Sequence, residues 1–133
     1  MKKILVAYDG SRPAQRALDV AAELAQLFQA KIGVVSVIPF RSFAESVDPW
    51  DEGPIQTAEL IEARRLLAEH GLEAQLYEPI GDPAGTIEQI AETGEYDVIV
   101  VGSRGLGWLG RIFQGSVSGH VATHASATVV VAR

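Results

Sequence analysis

The chain has 133 residues and a mass of 14.2 kDa, a length that suits a single domain spanning residues 1–133. With 47% hydrophobic and 21% charged residues the composition is that of an ordinary globular protein, and disorder is excluded as its dominant state. A net charge of −6 is the wrong sign for binding a phosphate backbone, so nucleic acid is not an expected partner, and the lack of any Cys excludes disulfides, thiolate metal sites and thiol catalysis together.

The apolar run Ile4 to Tyr8 halts at Asp9, well short of a secretory core, and nothing elsewhere is long enough to span a membrane. A cytoplasmic location is therefore expected. That same run, ending in Asp9-Gly10-Ser11, reads as a first strand buried on both faces. Ser11 suits an N-cap and Pro13 a first turn, after which Ala14, Ala17, Leu18, Ala21, Leu24, Ala25 and Phe28 recur with the period of an amphipathic helix. Ile32 to Ile38 is a second strand, parallel to the first because a helix connects them.

Pro39 to about Gln56 holds Pro39, Pro49 and Pro54 without a convincing period and reads as a long loop of the functional or inserted kind. Helical spacing returns at Thr57, Leu60, Ile61, Leu67 and Ala68, and Gly71 supplies a C-cap. Leu72 to Ile80 follows as a third strand, placed at a sheet edge because Glu73, Gln75 and Glu78 interrupt it. Asp82 and Pro83 open another helix with Ile87, Ile90 and Ala91 on its buried side. Val98 to Val101 is the most hydrophobic strand and is expected at the centre of the sheet. Val117, Val121 and His124 trace a short fourth helix, and Thr128 to Ala132 closes as a fifth strand. Five strands alternating with four helices define a doubly wound parallel α/β sheet.

Six of the thirteen glycines, Gly102, Gly105, Gly107, Gly110, Gly115 and Gly119, lie between the fourth strand and the last helix. Glycine permits close backbone approach and positive φ, and a helix N-terminus offers unpaired N–H groups, so this placement points to a phosphate. All seventeen acidic residues lie at or before Asp97, which leaves the glycine segment free of carboxylates. Gly105 to Gly110 matches G-x-G-x-x-G, but that dinucleotide motif belongs after the first strand with an acid about twenty residues on, and no acid follows. Gly110 to Ser116 has the spacing of a P-loop without its lysine. The remaining pattern is Gly102-x-x-Gly105, nine residues, then Gly115-Ser116.

That pattern, together with Asp9, the Gly81-Asp82-Pro83 turn and Ser116-Val117-Ser118, resembles the ATP-binding subgroup of the universal stress protein family over essentially the whole chain apart from the loop after Pro39. The resemblance implies a single five-stranded parallel sheet of order 3-2-1-4-5 with helices on both faces, adenine nucleotide alpha hydrolase-like. It further implies adenine and ribose held by Ala7, Asp9 and Val37, and phosphates wrapped by Gly102, Gly105, Gly115, Ser116 and Val117, with Arg104 and Arg111 the cations nearby. The implied ligand is ATP, or AMP or ADP, with Mg2+ carried on the phosphates. The implied assembly is a homodimer through Thr128 to Ala132, an apolar edge strand that invites pairing.

Asp9 and Ser116 also suit plain helix caps, and Val37 a plain core position. His120 and His124 share i, i+4 spacing, but without an acid or a third ligand beside them a metal site is not expected. Three functions compete: a nucleotide-responsive regulatory dimer of the stress response; a slow ATP hydrolase or nucleotidyl-transfer enzyme; and a dimerising scaffold without ligand. The first is favoured, because the glycine motif is intact and, Asp9 aside, no carboxylate is expected beside the phosphates to act as a base.

Overall fold

A computed structural model of the chain describes residues 2–38, 57–103 and 127–132. Within them the order is β1 (Lys3–Ala7), α1 (Arg12–Phe28), β2 (Lys31–Val35), α2 (Thr57–Glu69), β3 (Ala74–Tyr77), α3 (Pro83–Thr93), β4 (Val98–Gly102) and β5 (Thr128–Ala132). The expected loop from Pro39 to Gln56 and the expected short helix around Val117 to His124 lie outside the described residues.

All five strands are parallel, in the order β3-β2-β1-β4-β5. The less apolar third strand does form an edge. It is shorter than expected, four residues from Ala74 to Tyr77, with an isolated bridge between Ile38 and Ile80 marking where the extended chain beyond β2 and β3 meets once more. β1 holds the centre rather than β4, which lies beside it with all five residues buried. Hydrophobicity marks a strand as interior, because both faces are covered, but does not rank interior strands among themselves.

Two clusters of side chains sandwich the sheet. On one face Ile4, Val6, Val34, Val98 and Val100 pack against Ala14, Ala17, Leu18, Ala21 and Ala25 of α1 and Leu60, Ala63 and Leu67 of α2. On the other, Leu5, Val35, Ile99 and Val101 pack against Ala84, Ile87 and Ala91 of α3. The alternation of Ile4 and Val6 against Leu5 is the period-two geometry of a strand distributing its side chains to both layers. Ile61, expected on the buried stripe of α2, is 47% exposed, and Ala63 takes that place.

Local signals set the element boundaries. Ser11 caps α1, its Oγ accepting the Ala14 N–H at 3.3 Å, with Pro13 in the first turn. Asp82 caps α3, its Oδ2 accepting the Gly85 N–H at 3.1 Å, with Pro83 at the helix start. Gly71 follows α2 at φ +74°, the left-handed conformation that favours glycine, while Leu72 N–H returns to Leu67 O at 3.0 Å.

Candidate functional site

In an open parallel sheet, ligands bind beyond the carboxyl ends of the strands where neighbouring connections leave in opposite directions. Here that point lies between β1 and β4. The chain leaves β1 into α1 on one face, whereas α3, on the other face, leads into β4.

The structure brings four of the sequence-nominated residues to the carboxyl ends of three adjacent strands. Ala7 is the last residue of β1, Asp9 lies two residues beyond it, Val37 lies two residues beyond β2, and Gly102 ends β4. Ala7 and Val37 are half-buried and pack on the α3 side of the sheet, giving the site an apolar wall. Asp9 is exposed; its Oδ1 accepts the Ser11 N–H at 2.9 Å, a local turn that fixes the carboxylate at the mouth of the site. The plain helix-cap reading of Asp9 does not hold, because Ser11 caps α1 and Asp9 makes only the turn that precedes the cap. Arg104, Gly105, Gly115, Ser116 and Val117, with Arg111, lie outside the described residues.

Gly102 has a structural reason of its own. A Cβ there would collide with the carbonyl carbon and oxygen of Pro13, so the first turn of α1 packs directly on the backbone at the end of β4. The close approach that the structure shows at Gly102 is to Pro13 of the chain itself. The Asp9-Gly10 turn is similarly demanding, with Gly10 at φ +81°.

Two residues beneath this edge were not nominated by the sequence. Ser36, just past β2, is 1% exposed and its Oγ donates to Glu59 Oε2 at 3.2 Å. Glu59, in the first turn of α2, also faces Gly10, where its Oε1 would lie 3.6 Å from an added Cβ. Burial pushes the Glu59 carboxyl above its ordinary range; the Ser36 hydrogen bond opposes this, and Asp9, Glu62 and Glu78 reinforce it as like charges. Glu59 stands close to Asp9, brought there by the packing of α2; the glycine segment past residue 103, beside which no further carboxylate is expected, lies outside the described residues. Tyr8, 2% exposed, has its hydroxyl buried beside Glu62 and Gln15 without a well-formed hydrogen bond, and burial followed by the Glu62 carboxylate pushes its pKa up to about 12. No spacing rule links Ser36 to Glu59, since the contact crosses 23 residues.

Among the described residues no group of His, Asp or Glu is arranged to hold a metal ion, and no helix is long and apolar enough to cross a membrane. Among the described residues the site offers a carboxylate to accept from hydroxyls, main-chain groups at strand ends and an apolar wall.

Comparison with known proteins agrees with this architecture. The universal stress protein family model matches residues 1–133. The chain is 31% identical to universal stress protein Sll1388 of Synechocystis, covering 97% of this chain and 96% of that protein. It is 36% identical to a universal stress protein of Thermus aquaticus, covering 99% and 98%. Solved structures share the fold: a universal stress protein in complex with cAMP (TM-score 0.71, 21% identical, covering 99% of this chain and 97% of that one); one from Archaeoglobus fulgidus in complex with dAMP (0.68, 24%, 100% and 98%); and a family member from Arabidopsis thaliana with AMP bound (0.65, 23%, 99% and 91%). The doubly wound parallel sheet of order β3-β2-β1-β4-β5 is thus shared with these solved universal stress proteins. The chain belongs to the universal stress protein family.

Proposed function

We propose that this protein binds an adenine nucleotide, ATP or its AMP and ADP relatives with Mg2+ carried on the phosphates, and acts as a nucleotide-responsive regulatory homodimer of the cytoplasm. The observation that carries the reading is the placement of Asp9 and Gly102 at the ends of the adjacent strands β1 and β4, with the glycine pattern following Gly102 directly in the sequence. Support comes from three solved proteins of the same fold, which hold cAMP, dAMP and AMP.

In this reading residues 1–133 form one domain, and Asp9 accepts from the ribose hydroxyls. Ala7 and Val37 flank adenine with side chain and main chain. Gly102, Arg104, Gly105, Gly115, Ser116 and Val117 enclose the phosphates. Backbone N–H groups hold ground-state phosphate as well as a transition state, so the site favours occupancy over turnover. The β5 strand, at the edge of the sheet and carrying the apolar run Thr128–Ala132, is the dimer surface.

Calorimetry on folded, ligand-free protein tests the ligand: ATP with Mg2+, and AMP, are expected to bind with micromolar affinity, and Gly115→Val to abolish binding. Absence of heat from the unaltered protein overturns the reading. Light scattering with Val130→Lys tests the assembly, a monomer mass being expected for the variant alone.

A further inference from the structure

One side chain lies between both segments that the nucleotide reading assigns to adenosine, hydrogen-bonded to one and adjacent to the other. Glu59 accepts the Ser36 hydroxyl on Oε2 at 3.2 Å, while Oε1 faces the Gly10 backbone. Ser36 immediately precedes Val37, and Gly10 immediately follows Asp9. Ser36 is itself anchored on the opposite side, its N–H donating to Tyr77 O at 3.0 Å, and Tyr8 N–H donates to Val35 O at 2.9 Å. The ends of β1, β2 and β3 are therefore joined by main-chain bonds, and the Glu59 carboxylate, hydrogen-bonded at Ser36, lies beside the turn beyond β1.

Carboxylates surround this one on several sides. Asp9 faces it from the β1–α1 turn, Glu62 from its own helix and Glu78 from beyond β3; the Tyr8 hydroxyl stands nearby from β1 and Ser36 from β2. The first turn of α2 favours a negative charge, but three like-charged neighbours and partial burial oppose it. A protonated Glu59 still accepts the Ser36 hydroxyl through its carbonyl oxygen, and it no longer repels Asp9 or an anionic ligand.

We propose that Glu59 is a positioning residue of the nucleotide site, tying the turn that carries Asp9 to the strand end that carries Val37, and that binding tightens when this carboxylate takes up a proton. The proposal rests on the nucleotide reading above. It adds to it a residue from α2, outside the glycine segment, and a pH response.

Two measurements test it. In the ligand-free protein, the backbone amides of Gly10 and Val37 are followed by NMR from pH 7 to pH 4. Both are expected to shift with one common midpoint above the ordinary glutamate range, and neither to do so in Glu59→Gln. Separate midpoints, or a shared transition that survives in Glu59→Gln, overturn the coupling without reference to any ligand.

In the second measurement AMP is titrated calorimetrically into the unaltered protein, Glu59→Gln and Glu59→Ala. Loss of the linking hydrogen bond in Glu59→Ala is expected to weaken binding about tenfold. Glu59→Gln, which keeps an acceptor, binds at least as tightly as the unaltered protein at pH 7. The unaltered protein gains affinity between pH 7 and pH 5 beyond the gain of Glu59→Gln, a comparison that cancels the titration of the AMP phosphate. Unchanged affinity in Glu59→Ala, or equal pH slopes, overturns this proposal alone; no binding by the unaltered, folded protein overturns the nucleotide reading and this one with it.

Discussion

The two ends of β1 and β4 are built on opposite electrostatic principles. At the amino ends the charged groups Asp97 and Lys3 are held by polar partners: Asp97 accepts the backbone N–H groups of Lys2 at 2.9 Å and Lys3 at 3.0 Å. The Lys3 ammonium donates to the Gly94 carbonyl and lies 4.6 Å from the centre of the Tyr96 ring. At the carboxyl ends Glu59 stands among like charges, the Tyr8 hydroxyl is buried without a well-formed hydrogen bond, and Gly10 holds a positive φ. The same strands thus serve stability at one end and keep unrelieved polar groups at the other. Such groups are where a ligand gains most by arriving, because it supplies contacts the protein lacks.

The strongest test of this contrast is Gly102→Ala. The added methyl would press on the Pro13 carbonyl at the carboxyl end, and overpacking against backbone costs about 3 kcal/mol. Urea unfolding measures the loss, and AMP binding should weaken with it as the end of β4 moves away from α1. Gly71→Ala is the control: nothing lies within 4 Å of the added atom, so only its φ of +74° costs, about 1 kcal/mol. Equal losses in the two variants would remove the close packing that defines the carboxyl end.

Asp97→Asn probes the amino end. Burial, the largest single influence, raises the Asp97 carboxyl, but the lowering influences, led by the Lys2 and Lys3 N–H groups, together prevail and hold it below the usual range. Because the folded value is depressed, the stabilisation is present above the ordinary pKa near 3.8 and is lost as pH falls through the folded value. The variant should lose about 1 kcal/mol at pH 7, allowing for screening at a half-exposed position, and the gap should close under acid. A gap independent of pH would show that geometry, not charge, seals this end.

The smallest effect has the opposite sign. With its pKa raised in the folded state, Glu59 favours folding while protonated and loses that advantage as pH rises from its ordinary 4.5 through the folded value. At pH 7 Glu59→Gln should therefore be the more stable protein, by about 0.5 kcal/mol after screening, with the difference vanishing in acid. Thermal unfolding at both pH values decides it; a destabilised Gln variant at pH 7 would mean that the carboxylate is satisfied after all, and the contrast between the two ends would fail.

Local interactions made much of this legible in the sequence. Ser11 with Pro13 and Asp82 with Pro83 announce helix starts because a cap acts within three residues. The apolar runs at Ile4, Ile32 and Val98 announce interior strands because both faces must be covered. Gly102 belongs to a spaced motif and Asp9 to the turn after the first apolar run, and both lie at the carboxyl ends of adjacent strands.

What the sequence does not carry are the contacts that topology alone creates. Gly33 reads as an unremarkable strand glycine, yet a Cβ there would strike the Tyr96 hydroxyl, which the Tyr77 hydroxyl holds at 2.8 Å. The need for glycine at 102 comes from Pro13, on the first helix of the chain. Glu59 becomes a neighbour of Asp9 only because α2 packs on the same face as α1. Periodicity and caps report what a residue does to chain neighbours a few positions away. Which side chains from distant segments meet, and whether their charges complement or oppose, depends on strand order and on the face each helix covers, and these only the assembled sheet decides.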